Sequence, residues 1–153
     1  MAIEIERKFL VTSTDHLRPE QGHILRQGYV HISEESVTRV RVKGEQGILT
    51  IKGRTEGIAR AEFEYTIPLD DALQMLQQLC PDVVSKTRYV VPHGDHVWEV
   101  DVFDGANEGL VVAEIELGSA DEAFELPQWV GQEVSRDVRY FNAYLSHTPY
   151  TSW

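Results

Sequence analysis

One cysteine, Cys80, stands in the 153 residues, so no disulfide can form within the chain, and this usage suits a reducing compartment. Long apolar runs are missing too. No stretch reaches membrane-spanning length, and Met1 to Leu10 carry too much charge for the apolar centre of a signal peptide. The histidines His16, His23, His31, His93, His96 and His147 form no zinc-spaced cluster. Repeats, heptads and low-complexity tracts are lacking. Cations are outnumbered, with 14 Lys and Arg against 25 Asp and Glu, a net charge of −11. That field repels polyanions and disfavours nonspecific binding to nucleic acid or anionic membranes, without excluding a local basic pocket. The expectation is a cytoplasmic protein with neither nucleic acid nor membrane as partner; a homodimer is left open.

What is present fits a globular fold. The chain is 42% hydrophobic and 25% charged, and its length suits one domain, residues 1–153, able to bury a sizeable core. Period-2 alternation marks strands at Ala2 to Val11, His23 to Ile32, Val37 to Lys43, Ile48 to Arg54, Ala59 to Pro68, Val84 to Val91, His96 to Phe103 and Leu110 to Leu117. The period changes over Asp70 to Cys80, where Ala72, Leu73, Leu76 and Leu79 recur at helical spacing, with Asp70 or Asp71 as cap. Further helices are expected at Ala120 to Leu126 and Val138 to Ser146, the latter capped by Ser135 with Asp137 favourable to its dipole. Short connections favour antiparallel pairing, and closure into a barrel would remove exposed edges.

The charges on these strands come in like-signed doublets at i and i+2: Glu4/Glu6 with Lys8, Arg39/Arg41, Lys52 with Arg54, Glu62/Glu64, Lys86/Arg88, Glu99/Asp101 and Glu114/Glu116. Each occupies one parity of a strand whose other parity is mostly apolar. A sheet with one solvated face accounts for any single doublet. Ordinary solvated faces intersperse both signs, however, and like-charged pairs repel unless opposite partners lie across the sheet or inside a cavity. In a closed eight-stranded barrel these faces would line one interior of ligand size. Dry burial of so many ions would cost several kcal/mol each. The interior must be wet and neutralised by what binds there. Carboxylate clusters call for a hard divalent cation, and Arg and Lys opposite them call for a polyanion. A metal-bound phosphate chain needs both.

The series resembles the triphosphate tunnel metalloenzyme superfamily, also called the CYTH family. The resemblance starts from an E-x-E-x-K motif at Glu4, Glu6 and Lys8. It continues through Thr38-Arg39-Val40-Arg41, Thr50-Ile51-Lys52-Gly53, Glu62-Phe63-Glu64, Lys86-Thr87-Arg88-Tyr89, Glu99 to Phe103 and Ala113 to Leu117, and ends at Glu133 to Asp137 with Tyr140 and Asn142. It implies a mainly β fold: a closed eight-stranded antiparallel barrel forming a tunnel, with two or three flanking helices. It also implies action on triphosphates with Mg²⁺ or Mn²⁺. By the same resemblance Glu4, Glu6 and Glu116 form the principal metal site. Asp101 and Glu114 bind the ion through water or hold a second one. Lys8, Arg39, Arg41, Lys52, Lys86 and Arg88 clamp the triphosphate. Glu62 and Glu64 either orient the clamp cations or help place a second metal. Lys8 is read as a phosphate ligand rather than a general base.

The compact length is like that of small bacterial members favouring inorganic triphosphate, so hydrolysis of tripolyphosphate to pyrophosphate and phosphate is expected. An organic triphosphatase or an adenylate cyclase is the enzymatic rival, although no adenine-binding residues can be assigned. A module that sequesters phosphate–metal complexes without turnover is the non-enzymatic one.

Overall fold

The computed structural model describes residues 2–153. Nine strands form one antiparallel sheet: β1 (Ile3–Val11), β2 (Gly22–Ile32), β3 (Ser36–Lys43), β4 (Gln46–Gly53), β5 (Ala59–Ile67), β6 (Val83–His93), β7 (His96–Phe103), β8 (Val111–Glu116) and β9 (Val130–Glu133). The order is β5-β4-β3-β2-β6-β7-β8-β1-β9, and β1 also pairs with β5, closing eight strands into a barrel with β9 as an extra strand outside the circle. The seam is short: Ile3, Glu4 and Ile5 face Ala61, Arg60 and Ala59, after which β1 turns to β9. The expected closed barrel is present. Tight hairpins build it, and Gly44 and Gly94 supply the positive φ angles of 59° and 62° that two of them need.

Pleating sorts the side chains. On the outer face of β1, β7 and β8, Phe9, Trp98, Val100, Ala113 and Ile115 form a core covered by Phe124 and Trp129. Outside β2, β3 and β4 lies helix α1 (Leu69–Gln78), burying Ala72 and Leu76 with Cys80 against Val40. Its approach depends on Gly28, where a Cβ would stand 2.7 Å from Cys80 Cβ, 2.9 Å from Cys80 Sγ and 3.2 Å from a Leu76 methyl. Gly28→Ala should therefore cost about 1–3 kcal/mol, the usual range for overpacking, read from the urea midpoint; an unchanged midpoint would show that the helix seat yields freely.

Four expectations are corrected. Ala120 to Leu126 is not helical: the Glu122 side chain accepts from the Gly118 amide and contacts His96, while Phe124 is drawn in edge-on to Trp98 and Phe9. Core burial and side-chain bonds to backbone outweigh a weak helical preference. Val138 to Ser146 is broken at Phe141, whose extended backbone (ψ 136°) separates a 3₁₀ turn, Val138–Tyr140, from helix α2 (Asn142–His147). Asp137, not Ser135, caps that turn, and Ser135 instead accepts from the Lys8 amide at 2.9 Å. Neither Asp70 nor Asp71 caps α1; both lie in its first turn, where their charge suits the dipole. Among the described residues, no helix is long and apolar enough to cross a membrane.

Candidate active site

The inner parity of the barrel is charged along most of its length and apolar at one end. Val84, Phe103, Leu110 and Val112 close that end around Leu145 of α2. Above this floor is a cavity of about 600 Å³, within the usual range of small-molecule sites. Its walls carry Glu4, Glu6, Lys8, Arg39, Arg41, Lys52, Glu62, Glu64, Lys86, Arg88, Glu114 and Glu116. Six strands, β1, β3, β4, β5, β6 and β8, thus bring these charges together.

Register explains which charges meet. Glu6 lies directly across from Glu116, and Lys8 across from Glu114. Arg39 faces Thr50, and Thr50 in turn faces Glu64. Lys52 bridges the seam, bonding Glu4 at 2.8 Å and Glu62 at 3.3 Å. Arg39 donates to Thr50 Oγ1 at 3.1 Å, and that hydroxyl bonds Glu64 at 3.2 Å. Glu62 and Glu64 each lie against a cation, Glu62 on Lys52 at 3.3 Å and Glu64 on Arg39 at 3.7 Å. Lys8 Nζ lies 3.5 Å from Glu114 and donates to the Tyr140 carbonyl at 3.0 Å. Tyr29 is buried and also lines the cavity. Arg54 stands at the rim, half-exposed and paired with Glu34 and Glu35.

Asp101 differs from expectation. Awaited as a water-mediated or second-ion ligand, it is 1% exposed and absent from the cavity wall. Arg88 grips it with a two-pronged contact at 2.8 and 2.9 Å, and Lys86 reaches it at 2.7 Å. Burial would raise this carboxyl, but Arg88 and Lys86 hold it below its ordinary range. It is the shared, buried counter-ion that buttresses Lys86 and Arg88.

The remaining carboxylates divide into two sets. Burial would raise Glu114, yet Lys8, Arg88 and Lys86 together hold it well below the usual carboxylate range. Glu6 goes the other way: burial first, then the charges of Glu114 and Glu4, push it up to about 8. Glu116 is raised by burial and by Glu4, and Glu4 is raised by burial despite Lys52. Among the described residues, Glu6 and Glu116 make no ion pair. The cationic side shows the complementary deficit. Burial, reinforced by Arg39 and Arg88, pulls Arg41 down, although a guanidinium stays charged at neutral pH. Burial also draws Lys86 to about 7, against the pull of Asp101 and with the help of Arg88 and Arg41. Arg39 Nε is buried with no hydrogen-bond partner among the described residues.

Two carboxylates without an ion pair, Glu6 and Glu116, therefore share the cavity with Arg41, a cation without one among the described residues. Among the described residues no three acidic, histidine or cysteine side chains are already gathered into a metal cage. Glu6 and Glu116, opposed across one strand pair and both disfavoured as bare anions, nevertheless fit a hard divalent ion by donor type and charge.

Charge patterning passed over two neutral side chains, Gln27 and Thr50, both wholly buried. Their parity was the available signal: Gln27 shares a face with Leu25 and Tyr29, and Thr50 with Lys52.

Comparison with known proteins agrees with this geometry. The CYTH domain profile matches residues 2–146. An inorganic triphosphatase of Acetivibrio thermocellus is 43% identical, the match covering 100% of this chain and 99% of the relative. Another, from Nitrosomonas europaea, is 36% identical over 94% of this chain and 96% of its own. A crystal structure of an inorganic triphosphatase superposes with a TM-score of 0.67 at 34% identity, covering 95% of each chain. With the family profile spanning nearly its whole length and full-length relatives above 30% identity, the chain belongs to the CYTH domain family.

Proposed function

We propose that the protein is a divalent-metal-dependent triphosphatase that hydrolyses tripolyphosphate to pyrophosphate and phosphate. One observation carries the reading: a cavity floored by apolar residues gathers Lys8, Arg39, Arg41, Lys52, Lys86 and Arg88 with the carboxylates Glu6 and Glu116, which make no ion pair among the described residues. The inorganic triphosphatases at 43% and 36% identity support inorganic over organic substrate.

Arg39, Arg41 and Arg88 supply planar forks for phosphoryl oxygens, and Lys8, Lys52 and Lys86 supply point charges. Glu62, Glu64 and Asp101 hold these cations in place before substrate arrives, so little reorganisation remains for the transition state. Glu6 and Glu116 would hold Mg²⁺ or Mn²⁺, with Glu4 joining on release from Lys52, and Glu114 facing the phosphates beside Lys8. When bound, the ion supplies Lewis-acid stabilisation of the phosphoryl oxygens and polarises water for in-line attack. The apolar floor limits how far a phosphate chain can advance.

The deciding experiment is a panel of tripolyphosphate, ATP and thiamine triphosphate, each with Mg²⁺ or Mn²⁺, scored for phosphate, pyrophosphate and cyclic AMP. The expected result is phosphate and pyrophosphate in equal amounts from tripolyphosphate, abolished by chelator. Cyclic AMP from ATP would replace this reading with a cyclase, and tight tripolyphosphate binding without turnover would replace it with a sequestering module.

A further inference from the structure

We infer that Gln27 and Asn142 are a positioning pair that sets two clamp cations, Arg41 and Lys86, by tying both to the C-terminal helix; this rests on the triphosphatase reading above. Gln27 lies mid-strand in β2, between Arg41 on β3 and Val84 on β6, and is 0% exposed. An amide buried this fully is tolerated only if its polar ends are bonded. Its Oε1 accepts from Arg41 Nε at 2.8 Å, and its Nε2 donates to Asn142 Oδ1 at 3.2 Å. The same Asn142 oxygen accepts from Lys86 Nζ at 2.9 Å. One oxygen at the start of α2 thus gathers Lys86 directly and Arg41 through Gln27.

The chemistry of the link matters. The bond at Nε fixes the plane of the Arg41 guanidinium, and among the described residues its two Nη groups make no hydrogen bond, leaving them to phosphate oxygens. Both linking groups are neutral amides, so Arg41 is held without its charge being cancelled. Asp101 holds Lys86 and Arg88 by opposite charge instead. The helix end is itself anchored, because Leu145 sits in the apolar floor with Val84 and Phe103. Docking of α2 and alignment of the clamp are therefore one event, so Gln27, buried behind the cavity wall, and Asn142, on that wall, would together govern substrate binding.

The test is steady-state kinetics on Gln27→Met, close in volume but unable to bond, on Asn142→Ala, and on the double variant, with calorimetric titration of tripolyphosphate. Each single substitution should raise KM at least about tenfold, the range for losing a hydrogen bond to a charged group, with a smaller change in kcat. The double variant should show less than the product of the single effects, because one bond is lost in both. Should Gln27→Met fail to fold, Asn142→Ala, at a half-buried helix start, decides alone through its KM. Lowered melting temperature with unchanged KM would make the pair purely structural and overturn the inference. Wild-type protein that neither binds nor turns over tripolyphosphate would overturn the triphosphatase reading together with it; normal wild-type turnover with unaltered variants overturns the pair alone.

Discussion

Glu6→Gln is expected to lower tripolyphosphate turnover at least about a hundredfold, the range for one lost electrostatic contact in a preorganised site, while leaving the barrel folded. The substitution keeps shape and removes the charge that burial, Glu114 and Glu4 all disfavour. It should also change how stability depends on pH. A carboxyl whose folded value is raised from 4.5 to about 8 binds its proton more tightly in the native state. Its stabilising contribution is complete below about pH 4.5 and is lost as pH rises through about 8. Metal-free wild type should thus lose stability across that window relative to the glutamine variant, whose side chain does not titrate. Added Mg²⁺ should restore wild type above pH 8 and do less for the variant. Thermal melts at pH 5 and pH 8.5, with and without Mg²⁺, check this. Parallel curves for both proteins would remove Glu6 from the ion site.

The second large effect concerns stability. Asp101→Ala leaves Lys86, at 0% side-chain exposure, and Arg88, at 12%, without their shared counter-ion. Breaking a buried ion pair from one side costs about 3–5 kcal/mol, a large part of a domain's net stability. Urea unfolding should show the loss directly. Tripolyphosphate should recover part of it, because the substrate brings negative charge to the same cations. A variant as stable as wild type would mean that Lys86 and Arg88 are neutralised elsewhere and that Asp101 is no buttress.

The fold was legible where period and chemistry agreed. The doublets from Glu4/Glu6 to Glu114/Glu116 sit on strands whose other parity is apolar, and a closed antiparallel sheet is the arrangement that lets them meet. Register and turn glycines such as Gly44 and Gly94 then follow from local rules. What escaped depended on tertiary partners. Residues 120–126 look helical alone, but Phe124 has a better place against Trp98. Strand β9 has four residues, among them Gly131, and little alternation to announce it.

The site was legible to the same degree and for the same reason. Charge is visible in sequence, whereas direction within a pair is not. Lys86 and Asp101 each stood out as site candidates, yet only their mutual contact at 2.7 Å reveals that one is held by the other. Neutral polar groups left still less trace. Gln27 and Thr50 carry no charge to mark them, and their importance comes from the guanidinium groups they orient.

The most direct measurement is a crystal structure grown with tripolyphosphate and Mn²⁺, with the anomalous signal used to place the ion. Manganese is expected between Glu6 and Glu116 inside the bore, with the phosphate chain lying against Arg39, Arg41 and Lys86. Manganese bound only on the outer surface, or a bore holding solvent alone at saturating ligand, would contradict that expectation.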